Sequence, residues 1–156
     1  MMKRVLVALD YDITAQRIAE TGFSIGKSMG AEIFILHVME DNTYYSILNY
    51  PSLKGYMGFS ETEADHLFDD GPKKAMELFL NKTKQFLGDE SIQIILKEGE
   101  FAETIIKYAN DLHVNYIVMG SQCPIWLKNI VVGNVTESVL KDTSIPVLVV
   151  PGKDHH

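Results

Sequence analysis

Glu32-Ile33-Phe34-Ile35-Leu36-His37-Val38-Met39 is the stretch on which the fold turns. Its apolar side chains follow one another with almost no alternation, the pattern of a strand covered on both faces, and strands covered in that way belong to parallel sheets. Another run of this kind, Arg4 to Leu9, stands before it. Between the two, Ile18, Gly22, Ile25 and Met29 recur at spacings of four, three and four, and Gly30 supplies a helix terminus. Residues Val5 to Met39 therefore read as a strand, a helix over Thr14 to Met29 and a second, parallel strand: a βαβ crossover of ordinary length.

The same alternation continues downstream. Ile92 to Leu96 reads as a third strand, Tyr116 to Met119 as a fourth, and Val147 to Val150, between Pro146 and Pro151, as a fifth. Helical spacing runs from Glu61 to Leu87, with Ala64, Leu67 and Phe68 before Gly71-Pro72 and Ala75, Met76, Phe79, Leu80, Phe86 and Leu87 after it. Pro72 should kink or divide this helix, because it has no backbone N–H to donate. Further helices are expected from Phe101, with Ile105, Ala109 and Leu112 on one face, and from about Asn134 to Lys141. Strands alternating with helices throughout predict an α/β fold with a doubly wound parallel sheet. Asp41 to Ser60 follows neither period and reads as a long loop. Its aromatic part, Tyr44 to Phe59, is read as folding back over the second helix, with cover for a ligand or contact with a partner as the other reading.

The length of 156 residues fits one domain, taken as residues 1–152, with 153–156 read as a tail or tag remnant. With 46% hydrophobic and 22% charged residues, a disordered or disulfide-stapled chain is excluded. A formal charge of −7 without a basic patch speaks against nucleic acid and anionic membrane as partners. The lone cysteine, Cys123, agrees with a reducing compartment. The first apolar run is broken by Asp10, too early for a signal peptide or a membrane span, so the cytoplasm is the expected location.

In open parallel sheets a ligand binds beyond the carboxyl ends of the strands, where the strand order reverses. Those ends are Asp10, His37 to Glu40, the turn Lys97 to Glu100, and Gly120 onward. No phosphate-binding glycine loop follows the first strand; Asp10-Tyr11-Asp12-Ile13-Thr14 stands there, an acidic turn that repels phosphate. The junction after the fourth strand differs. Gly120 ends the strand and Gly133 opens a helix, so amides near Asn134 and Val135 are placed to meet an anion.

Five segments, Val5-Leu6-Val7-Ala8-Leu9-Asp10, Leu36-His37-Val38, Ile117-Val118-Met119-Gly120, Gly133-Asn134-Val135-Thr136-Glu137 and Ile145-Pro146-Val147-Leu148-Val149-Val150, taken in that order, resemble the universal stress proteins of the UspA-like family. The resemblance covers nearly the whole chain. It implies a five-stranded sheet of order 3-2-1-4-5, of the adenine nucleotide alpha hydrolase-like type, and a homodimer formed through the fifth strand, whose wholly apolar edge invites pairing with a second copy. Many family members bind ATP through a glycine, two residues, a glycine, nine residues, then a glycine followed by Ser or Thr. Carried onto this chain, the nucleotide-binding positions are Ala8, Asp10, Val38 (through its backbone), Met119, Gly120, Cys123, Gly133, Asn134 and Val135.

The chain departs from that motif in three places. Cys123 replaces the middle glycine, Asn134 the final Ser or Thr, and Trp126 a residue that is usually small. If the backbone at Cys123 must be left-handed, its Cβ adds roughly 1–2 kcal/mol, about a tenfold loss in affinity. The expectation is a non-catalytic stress-response or signalling module with ATP binding weak or absent, and Mg²⁺ present only with ATP. The alternative is an ATP-binding member with slow, incidental hydrolysis. A more remote one is a phosphoryl-accepting receiver domain, for which Asp10 and Asp12 stand in place while the aspartate and lysine demanded later do not. Asp10 has two readings, a nucleotide neighbour or a helix cap, whereas Asp12 reads as a cap and His37 as a buried, hydrogen-bonded histidine. Asp10, His37 and Ser121 make no triad, since no nucleophile elbow is present. Five scattered histidines and one cysteine make no metal site. The functional expectation depends on the turn after the fourth strand and the cap of the last helix meeting beside Asp10.

Overall fold

A computed structural model describes residues 2–39, 58–121 and 134–151. In chain order its elements are β1 (Arg4–Ala8), α1 (Ala15–Ser28), β2 (Glu32–Met39), α2 (Glu61–Asp65), α3 (Pro72–Leu87), β3 (Gln93–Glu98), α4 (Phe101–Asp111), β4 (Tyr116–Gly120), α5 (Asn134–Asp142) and β5 (Val147–Val150). The strands form one five-stranded sheet of order β3-β2-β1-β4-β5, and every neighbouring pair is parallel. This is the order implied by the resemblance. It differs from the 2-1-3-4-5 order of flavodoxin-like folds.

Alternation along the buried strands divides the core in two. Val5, Val7, Ile33, Ile35 and Val118 face α1 and α3, meeting Ile18, Ala19, Met76, Phe79 and Leu80. Leu6, Ala8, Phe34, Leu36, Ile117 and Met119 face the other way, toward Ala102, Ile105 and Ala109 of α4 and Val139 of α5. Consecutive residues of one strand thus serve opposite layers, which is why β1 and β2 read as unbroken apolar runs.

Helix α1 lies close to the sheet because glycines occupy its inner face. A Cβ at Gly22 would sit 2.5 Å from Val7 Cγ2, and one at Gly26 would sit 2.7 Å from Ile33 Cγ1. Gly26 rather than Ile25 completes the inward stripe; Ile25 is only half-buried.

Pro72 divides the predicted long helix. It opens α3, where its missing N–H costs nothing, after Gly71 at φ +96°. The preceding segment forms the separate five-residue α2, opened by a capping box in which the Ser60 hydroxyl accepts from Glu63 N–H at 3.1 Å and the Glu63 carboxylate accepts from Ser60 N–H at 3.1 Å. Phe86, expected on the inner face of α3, is instead 42% exposed. The inward position is taken by Thr83, whose hydroxyl is satisfied by donating to the Phe79 carbonyl at 2.8 Å. Strand β3 begins one residue later than expected and runs on to Glu98, which is in register with Met39. As the sheet's edge it carries Lys97 and Glu98 exposed, so its polar end gave no strand pattern. Of the aromatic segment Tyr44 to Phe59, only Gly58 and Phe59 lie within the described residues; Phe59 is buried against the α1 and α3 layer. Among the described residues no helix is long and apolar enough to cross a membrane.

Candidate functional site

From β1 the chain winds in one direction to β2 and β3, then returns to place β4 and β5 on the other side. The order therefore reverses between β1 and β4, and the carboxyl ends of these strands border a cavity that opens to solvent.

Leu9, just beyond β1, is held by β2 on both of its backbone polar groups. Its N–H donates to the Leu36 carbonyl at 2.9 Å, and its carbonyl lies 2.8 Å from Nδ1 of His37. A carbonyl only accepts, so Nδ1 carries the hydrogen of the neutral imidazole. His37 is buried, and burial pushes its pKa down to about 4 against the opposing effect of the Leu9 bond. It is the buried, hydrogen-bonded histidine that its place inside a strand suggested.

The turn from β1 into α1 then folds on its own carboxylates. Asp10 Oδ1 accepts from Tyr11 N–H at 2.9 Å, and Asp12 Oδ1 accepts from Thr14 N–H at 2.9 Å while the Asp12 carbonyl receives Ala15 N–H at 3.0 Å. Asp12 thus shapes the turn into α1 instead of capping the helix as the sequence suggested: the N-cap is Thr14, and Asp12 Oδ1 takes that residue's own N–H. Asp10 braces the turn and lines the cavity, and it does not cap α1, which begins at Ala15. The Tyr11 ring anchors this turn, packing edge-on against Phe68 and Phe79 with centroids 5.4 and 5.5 Å away.

On the opposite wall Gly120 ends β4. A Cβ there would come within 2.5 Å of Ile18 Cδ1, so any larger residue would have to push the end of that side chain aside. The Gly120 carbonyl accepts from Thr136 Oγ1 at 2.8 Å, and Ser121 N–H donates to the Val150 carbonyl at 3.0 Å. These two bonds tie the first turn of α5 and the end of β5 to the exit of β4.

Of the residues chosen from sequence, Ala8, Asp10, Val38, Met119, Gly120 and Val135 line this one cavity. The exit of β4 and the start of α5 thus meet beside Asp10. Asn134 is the first residue of α5, while Cys123, Trp126 and Gly133 lie outside the described residues. The lining also includes Asp12, Ile18, Phe101, Ile105 and Thr136, which the motif did not name. Phe101 and Ile105 belong to α4, which follows β3, the strand farthest from β4 on this side of the sheet; no local pattern connects them to the Gly120 junction. Thr136 could have been suspected, being a hydroxyl one residue beyond the chosen Val135. Among the described residues no group of three or more His, Cys, Asp or Glu side chains is placed to hold a metal ion.

A family model described as the universal stress protein family matches residues 1–151. The chain belongs to the universal stress protein family. Universal stress protein MJ0577 of Methanocaldococcus jannaschii is 32% identical over 163 residues, covering 99% of this chain and 98% of that protein. A solved structure of MJ0577 superposes with a TM-score of 0.69 at 28% identity, covering 99% of each chain. More distant universal stress proteins share the fold. One, solved in complex with cAMP, has a TM-score of 0.58 at 17% identity and covers 97% of this chain and 98% of its own. Another, from Archaeoglobus fulgidus in complex with dAMP, has a TM-score of 0.56 at 15% identity, with 96% and 97% covered.

Proposed function

We propose that this universal stress protein is a non-catalytic cytoplasmic signalling module whose cavity at the carboxyl ends of β1 and β4 is a degraded adenine-nucleotide site, with ATP binding weak or absent. The observation that carries the reading is the meeting of Asp10, Val38, Gly120 and Val135 around one cavity, since these are the positions that family resemblance assigns to the nucleotide. Structural relatives solved with cAMP and dAMP support an adenine-type ligand for this fold. Weakness toward ATP is argued from the sequence. Cys123 and Trp126 stand where relatives have small residues. No general base is identified for cleaving ATP, which supports a binding role over an enzymatic one.

Calorimetric titration with ATP and Mg²⁺ tests this. The expected dissociation constant is weaker than about 10 μM, near −7 kcal/mol, and if the Cys123 backbone must be left-handed, replacing Cys123→Gly together with Trp126→Gly strengthens binding about tenfold by removing a Cβ penalty of roughly 1–2 kcal/mol. Tight binding by the unaltered chain would support the second reading, an ATP-binding member with slow incidental hydrolysis. The first turn of α5 at the cavity favours that reading, because a helix N-terminus attracts anions.

A further inference from the structure

We infer that Thr136 is a positioning residue of the proposed adenine-nucleotide site: by bonding the end of β4, it holds the first turn of α5 where the ligand's phosphate meets it. This rests on the adenine reading above and concerns a side chain that the family motif did not name.

A threonine in a helix can turn its hydroxyl to a carbonyl three or four residues back in the same helix. Thr21 and Thr83 do so, donating to the Arg17 and Phe79 carbonyls at 2.7 and 2.8 Å. Thr136 serves another element. It stands in the first turn of α5, and its hydroxyl donates at 2.8 Å to the carbonyl of Gly120, 16 residues away at the end of β4. At 3% exposure Thr136 is shielded from water, and a hydrogen bond is stronger in such surroundings.

The acceptor is itself held in place. Gly120 is in register with Val150 of β5, its neighbour Ser121 donates to the Val150 carbonyl at 3.0 Å, and Ile18 of α1 packs where a Cβ would stand. The Thr136 bond therefore fastens the start of α5 to a fixed strand end. Val135 and Thr136 line the cavity beside Gly120. The first amides of a helix have no carbonyl partner within it and suit a phosphate, provided that they stand where it arrives. One buried hydroxyl sets that position.

The test is calorimetric titration of the full chain, and of its Thr136→Val and Thr136→Ser variants, with AMP and with adenosine, which differ by the phosphate alone. The wild type is expected to bind AMP more tightly. Valine keeps the branched shape and loses the donor, so AMP affinity should fall about tenfold while adenosine affinity stays within about twofold. Serine keeps the donor and should restore the wild-type AMP-to-adenosine ratio. Equal affinity for the two ligands in the wild type, a ratio that valine leaves unaltered, or one that serine fails to restore would overturn the inference and leave the adenine reading in place. Should Thr136→Val not fold, amide shifts of the wild type decide: exchanging adenosine for AMP should move Val135 and Thr136, and no movement there would overturn the inference. Failure of both ligands to bind the wild type would remove the inference and the adenine reading together.

Discussion

His37 joins the strand pattern to the site. Its imidazole holds the Leu9 carbonyl, and Leu9 is the residue from which the Asp10 to Thr14 turn departs. Because burial lowers its pKa to about 4 from the ordinary 6.5, the unfolded chain binds a proton in the interval between these values that the native protein does not. Stability therefore rises with pH across the window and is lost as pH falls from about 6.5 toward 4, by up to roughly 3 kcal/mol. Urea unfolding at pH 7 and at about pH 4.5 checks this, with His37→Asn as the reference, since Asn can offer an N–H near the position of Nδ1 but does not titrate. The wild type should lose more stability on acidification than the variant; equal losses would mean that His37 does not enter the native state neutral. A buried histidine was legible in Leu36-His37-Val38, because a polar residue inside an unbroken apolar strand has to find a partner. Its partner was not legible, because Leu9 is 28 residues away and meets it only through the register that sets Ala8 against Leu36.

Among the elements, α1 depends most on small residues. Gly22→Ala would drive a methyl group into Val7, and the helix would have to lift from the sheet. The expected cost is about 1–3 kcal/mol, read as a lower midpoint in urea with an unchanged slope. A loss under about 0.5 kcal/mol, the scale of surface substitutions, would contradict the close packing. Ser60→Ala removes the capping box of α2 and should cost about 1 kcal/mol, detected as faster amide exchange at Glu63 and Ala64; unchanged exchange there would show that the cap contributes nothing. Elements whose ends carry Pro or Gly were readable from sequence, as at Gly71-Pro72, because such residues restrict the backbone by themselves. Phe86 and Glu98 were misread because their environment is set by neighbours. One rotates out of the core while Thr83 turns in, and the other belongs to an edge strand with less to bury.

For the molecule as a whole, strand order and the position of the cavity come from one topological fact, the reversal between β1 and β4. The order was legible through resemblance, and the parallel pairing through continuous apolar runs. Ala8, Asp10, Val38, Met119, Gly120 and Val135, chosen from the strand ends and the Gly120 junction, line the cavity. The Phe101 and Ile105 lining from α4 was not chosen, although Phe101 directly follows the Lys97 to Glu100 turn at the carboxyl end of β3. At the far edge, β5 exposes Leu148 at 40%, consistent with pairing to a second copy. Size exclusion at low micromolar concentration should give a dimer, and Leu148→Lys should convert it to monomer; a wild type that elutes as a monomer would contradict the dimer. Most direct of all is an amide chemical-shift titration of the uniformly labelled protein with adenosine. The account predicts shifts concentrated at Asp10, Val38, Gly120, Val135 and Thr136, and shifts confined to any other face, or none at saturating ligand, would contradict it.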